Sequence, residues 1–202
     1  MQMQNSIYND RSTDAQLVAG CRRQNRLAQR CLYRRHYSKM LGICMRYTSH
    51  RDQAEDVLNR AFLKIFQKIN EYEEQGNLRA WMATLTLRTA IDFVRSTIKY
   101  RQVMDFENEQ DIPLDAAAIN NLYAEDLYRL IQKLPATGRT VFSLNAVEGY
   151  THREISEMLG ININTSKWHL AQAKKQLRKW VVAMEKPEMK PDLKLAFLNK
   201  IT

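Results

Sequence analysis

Apolar positions recur at spacings of three and four along most of the chain, and long strand-like alternation is absent. The clearest run begins at Asp52. Ala54, Val57, Leu58, Ala61, Phe62, Ile65 and Ile69 line one side, while Arg60, Lys64 and Lys68 line the other. That period places the apolar residues on a single helix face, which must be buried. Asp52 is placed to cap this helix, with Glu55 three residues on to complete a capping box. Upstream, Leu17, Val18, Cys21, Leu27, Cys31 and Leu32 predict a helical stretch across Asp14 to His36. Met40, Leu41, Ile43, Cys44 and Tyr47 continue it over Tyr37 to Tyr47. Gly76 and Asn77 mark a break, after which a helix runs from Leu78 to about Lys99 with Trp81, Leu85, Ile91 and Val94 turned inward.

The pattern lapses over 101–124. Asp105, Glu107, Glu109, Asp111 and Asp115 stand there against Arg101, and Pro113 interrupts them, which reads as a linker. Helical periodicity then returns. Glu125 to Leu134 is one amphipathic helix, stopped by Pro135, and Thr137 to Val147 is the next. Thr151 to Leu159 follows, with Thr151 as N-cap, Glu154 completing a capping box and Gly160 as the left-handed terminator. Asn162 is placed to cap the last helix, which continues to about Val182. The prediction is an all-α chain: small helical domains at 13–100 and 125–184, a flexible acidic linker at 101–124, and a tail at 185–202 of no evident role.

Composition supports this and adds a partner class. Six glycines and four prolines in 202 residues suit helices, and a formal charge of +9 suits a polyanion. The polar first residues lack a signal-peptide core, and no run approaches the roughly 18 apolar residues that span a bilayer. The expectation is a cytoplasmic protein with no direct membrane insertion. Cys21, Cys31 and Cys44 have no metal-ligand spacing, and His36, His50, His152 and His169 form no metal pair, so they are read as ordinary thiols and imidazoles. With no glycine-rich phosphate loop and no convergent nucleophile, base or metal set, neither a cofactor, a small-molecule substrate nor an enzyme activity is expected.

The segment from Leu134 to Arg178 has the layout of a helix-turn-helix, which places its second helix in the DNA major groove. That helix carries Lys167, Lys174, Lys175, Arg178 and Lys179 and no acid. A structural surface helix usually mixes both signs to gain side-chain pairs, so five cations with no acid on the same helix point to an external anion. Asn164, Thr165, Lys167, Trp168 and His169 are long enough to reach base edges, while Ile161, Leu170, Ala173 and Leu177 face the core. Trp168 has two open readings: against DNA, or half-buried on the neighbouring helix. Earlier in the chain, Arg79, Arg88, Arg95, Lys99 and Arg101 interleave with Trp81, Phe93 and Tyr100. Cations among aromatic rings suit single-stranded or melted nucleic acid, although Trp81 is more simply a core residue.

Asp52-x-Ala54-Glu55-Asp56, Phe62-Leu63, Leu78-Arg79-Ala80-Trp81, Asp92 and Arg95 together resemble region 2 of bacterial sigma factors. Leu134-Pro135, Arg139, Val141-Phe142, Glu148-Gly149, Glu154-Ile155, Leu159-Gly160-Ile161 and Thr165-Ser166-Lys167 resemble their region 4. Two such blocks across an acidic linker are similar to the small extracytoplasmic-function (ECF) group, over about residues 25–182. The resemblance implies binding to core RNA polymerase through Asp56, Asn59 and Phe62. It implies reading and melting of the −10 promoter element through Tyr72, Asn77, Arg79, Arg88, Asp92 and Arg95. It implies duplex recognition of the −35 element through Asn164, Thr165, Ser166, Lys167, Trp168, His169, Lys174 and Lys175. An anti-sigma factor is an implied partner, and the linker would thread near the polymerase cleft. The chain departs from the family pattern at Arg88, Trp168-His169 and Gln172, all on reading surfaces. The rival reading is a helix-turn-helix regulator that binds duplex DNA as a dimer without polymerase.

Overall fold

A computed structural model describes residues 8–73, 76–104 and 128–183. Every regular element among the described residues is helical. The linker beyond Met104, the start of the 125–134 helix and the tail lie outside the described residues. Contacts group the chain into two units, one drawing on Met1–Met45 and Asp52–Ala90, the other on Arg46–Arg51 and Ile91–Thr202.

In the first unit, helix α1 (Asp14–Arg22) opens on a capping box. Thr13 Oγ1 accepts from the Gln16 amide at 3.3 Å, and Gln16 Oε1 accepts from the Thr13 amide at 2.8 Å. Helix α2 spans Arg26–Met45. The periodicity reads as one helical stretch from Asp14 through His36 and on to Tyr47; the structure breaks it at 23–25. Gln24 adopts a left-handed φ of 56°. Asn25 Oδ1 then accepts from the Leu27 and Ala28 amides at 3.0 and 3.1 Å, which starts a new helix. Gly20 lets α1 and α2 approach: a Cβ there would lie 2.5 Å from Ala28 Cβ. Arg35 ties the pair together by donating to Asp14 Oδ1 at 2.7 Å and to the Asp10 carbonyl at 3.1 Å.

Helix α3 (Arg51–Gln67) buries Ala54, Val57, Leu58, Ala61, Phe62 and Ile65, the stripe read from its period. It starts one residue before Asp52, so Asp52 lies in the first turn instead of at the cap. There its carboxylate still complements the partial positive charge of the helix start. Glu55 Oε1 accepts from the Tyr37 hydroxyl at 3.1 Å. A 3-10 turn (Ile69–Glu71) leads toward helix α4 (Leu78–Met104), whose residues from Ile91 on are grouped with the second unit; the helix outruns its expected end and takes in the first residues assigned to the linker. Met82, Ala90, Ile91 and Val94 are buried on α4, whereas Trp81 and Leu85 are only half-buried.

The second unit contains helical residues at 128–132, helix α5 (Ala136–Phe142), a π-helical turn (Ser143–Val147), α6 (His152–Leu159) and α7 (Ile163–Ala183). The widened turn replaces the end of the expected 137–147 helix. The Glu148 amide reaches back five residues to the Ser143 carbonyl at 3.1 Å, and Asn145 Nδ2 donates to the Tyr150 carbonyl at 2.9 Å. The core gathers Leu134, Val141, Phe142, Leu144, Leu159 and Leu177. Arg139 is only 1% exposed because its guanidinium donates inward, to the Gln132 carbonyl at 3.1 Å and Ser49 Oγ at 3.0 Å.

Cys21 and Cys44 are buried free thiols and Cys31 is half-buried. Burial pushes the Cys21 thiol up to about 12, so it is no nucleophile near neutral pH. Among the described residues, no helix is long and apolar enough to cross a membrane.

Candidate nucleic-acid interface

The helix-turn-helix is built from local hydrogen bonds. Thr151 Oγ1 accepts from the Glu154 amide at 3.3 Å, and Glu154 Oε2 accepts from the Thr151 amide at 2.8 Å, the expected box at the start of α6. The Thr151 amide, together with the Thr151 hydroxyl that donates to the same Oε2 at 2.7 Å, holds the Glu154 carboxyl below the usual carboxylate range. At the other end Gly160 turns left-handed at φ 68°. Asn162 Oδ1 then accepts from the Asn164 amide at 2.8 Å and starts α7, as its sequence position suggested.

On α7, Leu170, Ala173 and Leu177 are buried and Ile161 just before it is half-buried. Asn164, Thr165, Lys167, Trp168 and Lys175 are exposed, with His169 and Lys174 half-buried beside them. Ser166 corrects its expected place on the DNA face. It is 0% exposed, and its Oγ lies 2.9 Å from His152 Nδ1 on α6. Leaving a buried hydroxyl without a partner costs about 1–3 kcal/mol, so His152 secures the joint between the two helices. Sequence reasoning passed over His152. The signal was available, since Ser166 lies four residues before Leu170 and so falls on the core stripe, where a polar group needs a partner. Burial first, then Lys167 and Lys174, lower the affinity of His152 for a proton, which keeps the ring neutral near pH 7.

Of the two readings of Trp168, burial against a neighbouring helix is set aside: its side chain is 58% exposed. The indole meets the His169 ring edge-on, with centroids 4.9 Å apart and planes at 73°. Burial lowers the His169 pKa, so that ring too is neutral near pH 7.

The −10 candidates divide. Arg79, Arg88, Asp92 and Arg95 are exposed on α4, and Arg95 donates to Asp92 Oδ1 at 2.8 Å. Asn77 is exposed but occupied as a cap, its Oδ1 accepting from the Ala80 amide at 3.1 Å. Tyr72 is a correction: it is 7% exposed and presents no ring to a ligand. Its hydroxyl donates to the Gly76 carbonyl, its own carbonyl accepts from Arg22 at 2.7 Å, and its ring packs 5.4 Å from Trp81. Tyr72 thus anchors the segment before α4. Trp81, half-buried against it, bears out the core reading in part.

The third set lies on α3. Asp56 is exposed, and so is Asn59, whose Oδ1 accepts from the Tyr33 hydroxyl at 3.1 Å. Phe62 is 2% exposed, which corrects its expected place on a binding surface. Its ring is held by Tyr33 at 4.5 Å and Phe66 at 5.9 Å, inside the stripe that the same period had marked as core. The apolar side chain that this face does offer is Leu63, 58% exposed. It follows Asp56 by seven residues and Asn59 by four, a helical spacing that could have singled it out.

Residues 32–99 match the family model for Sigma-70 region 2, and residues 124–177 match Sigma-70, region 4. Together these matches take in more than half of the chain. The ECF RNA polymerase sigma factor SigE of Mycolicibacterium smegmatis is 23% identical over 155 residues, 74% of this chain and 60% of that relative's length. The RNA polymerase sigma factor SigV of Bacillus subtilis is 28% identical over 143 residues, 71% of this chain and 84% of the relative. Among solved structures, the sigma factor RpoE from Bartonella quintana, in complex with the anti-sigma factor NepR, is similar at 20% identity and a TM-score of 0.45, over 73% of this chain and 92% of that one. The chain belongs to the sigma-70 family of RNA polymerase sigma factors, in its extracytoplasmic-function group.

Proposed function

We propose that the chain binds core RNA polymerase, directs it to promoters through −35 and −10 elements and helps to open the DNA. The observation that carries this reading is the exposed N-terminal half of α7, with Asn164, Thr165, Lys167 and Trp168 leading an acid-free helix. The polar side chains reach base edges, and the lysines farther along neutralise phosphates, which adds affinity without sequence information. Asp56, Asn59 and Leu63 form the α3 surface for core polymerase, Leu63 taking the role first given to Phe62. Arg79, Arg88, Asp92 and Arg95 on α4 meet the −10 strand, with Tyr72 and Asn77 shaping the segment that precedes them. In this reading residues 13–100 and 125–184 are the two working domains, the acidic segment between them passes near the polymerase cleft, and the chain performs no chemistry of its own. An anti-sigma factor must cover one of these surfaces, so it competes with polymerase or promoter.

Transcription with purified core polymerase over a promoter library tests the proposal. Promoter-dependent transcripts and a stable complex with core are expected, with weak duplex binding by the free chain. A chain that forms no complex with core yet binds a palindromic duplex as a dimer would be a polymerase-independent regulator.

A further inference from the structure

We propose that Trp168 reads the C5 methyl group of a thymine in the upstream promoter element. The inference rests on α7 being the helix that enters the major groove. A 58% exposed indole in the second turn of that helix, beside exposed Lys167 and four residues after exposed Asn164, leaves more than half of its surface open to a ligand. The edge-on contact with His169, 4.9 Å between centroids, restricts the ring and reduces the entropy it loses on contact.

Charge selects the occupant. Lys167, Lys174, Lys175, Arg178 and Lys179 share α7 with Trp168, and the helix has no acid, so the surface around the indole favours a polyanion over another protein face. Bases in a closed duplex are stacked on each other, which removes stacking as a mode of contact. Hydrogen-bonding groups crowd the major-groove edges of the pairs, and the apolar group among them is the thymine methyl. An apolar ring fits that methyl, whereas an arginine or lysine at the same position would pair with guanine O6 and N7. The expected consequence is a thymine requirement at the position Trp168 meets.

Substitution of uracil for thymine tests this, because it removes the methyl and keeps the base pair. Holoenzyme made from core polymerase and the full chain is given its preferred promoter, chosen from a randomised library. Each upstream thymine on either strand is then replaced singly by uracil. One replacement should weaken wild-type binding by about three- to fourfold, the worth of one buried methyl. The same replacement should leave Trp168→Ala binding unchanged and should still weaken Trp168→Phe. The proposal is overturned if every uracil probe affects Trp168→Ala as it does the wild type. It is also overturned if no uracil matters while Trp168→Ala loses affinity for core polymerase, which would make the indole a protein contact. The parent reading fails separately: scrambling the whole upstream element, or Lys167→Ala, would then leave promoter binding unchanged.

Discussion

Phe62 and Leu63 are neighbours in sequence and opposites in environment, and the contrast separates stability from binding. Phe62 is packed between Tyr33 and Phe66 at 2% exposure, whereas Leu63 is 58% exposed beside Asn59. Removing a buried phenyl ring loses its transfer free energy and leaves a cavity. Phe62→Ala should therefore lower unfolding stability by about 3–5 kcal/mol in chemical denaturation. Leu63→Ala removes no core contact, and its stability should stay within about 0.5 kcal/mol of wild type. Affinity for core polymerase should fall at least about fivefold in Leu63→Ala, the effect of losing an apolar anchor from a protein interface. Unchanged core affinity in Leu63→Ala would remove Leu63 from the polymerase surface. The same reasoning explains Tyr72 and Ser166. Each was assigned to a DNA face by its place in a motif, and each proved to support neighbouring backbone or side chains. A motif records which residues recur together. It does not distinguish the side chain that touches the ligand from the one that holds its neighbour in place.

At the scale of the element, the joint between α6 and α7 is the most constrained part of the reading surface. The Thr151 and Glu154 box starts α6, Gly160 ends it at φ 68°, and Asn162 starts α7. The turn sets the angle at which α7 is presented. A side chain at a left-handed position costs about 1–2 kcal/mol, less for asparagine, whose short amide bonds locally. Gly160→Val should therefore destabilise the chain by at least that amount and Gly160→Asn by less, as read from denaturation midpoints. Equal stability in the two variants would mean that the turn relaxes to another conformation. These features were legible because each is a short-range rule: a cap, a box three residues long, a glycine after the last apolar residue. The α3 stripe was legible for a related reason, since one strong period dominates its seventeen residues. The break between α1 and α2 was not. Gln24 and Asn25 carry no glycine or proline signal, and the apolar period runs through them almost unchanged. Only the close packing permitted by Gly20, and the cap made by Asn25, define two helices there. The π turn after Phe142 escaped for a similar reason, because its hydrogen bonds shift by one residue without a change in residue type.

For the whole molecule, charge sets how strongly promoter binding depends on salt. The chain carries a formal +9, and α7 contributes five cations and no anion. Each cation that neutralises a phosphate releases condensed counterions, so the logarithm of the binding constant falls with the logarithm of salt, with a slope of about −0.9 for each contact. Core polymerase contributes its own contacts to that slope, and the informative quantity is the difference between variants of this chain in the same holoenzyme. Lys175 is exposed on α7 beyond the residues assigned to base edges. Lys175→Ala should weaken binding by a similar factor on every promoter and make the slope shallower by about 1. Trp168→Ala should do the reverse, losing discrimination among promoters while leaving the slope unchanged, because the indole carries no charge. The two variants thus divide α7 into a part that sets affinity and a part that sets sequence, measured by filter binding from about 50 to 200 mM salt, the range over which phosphate contacts have their largest effect. If Lys175→Ala and wild type gave parallel lines, the cations beyond the second turn would not lie along the phosphate backbone. The acid-free face of α7 would then need another anionic partner.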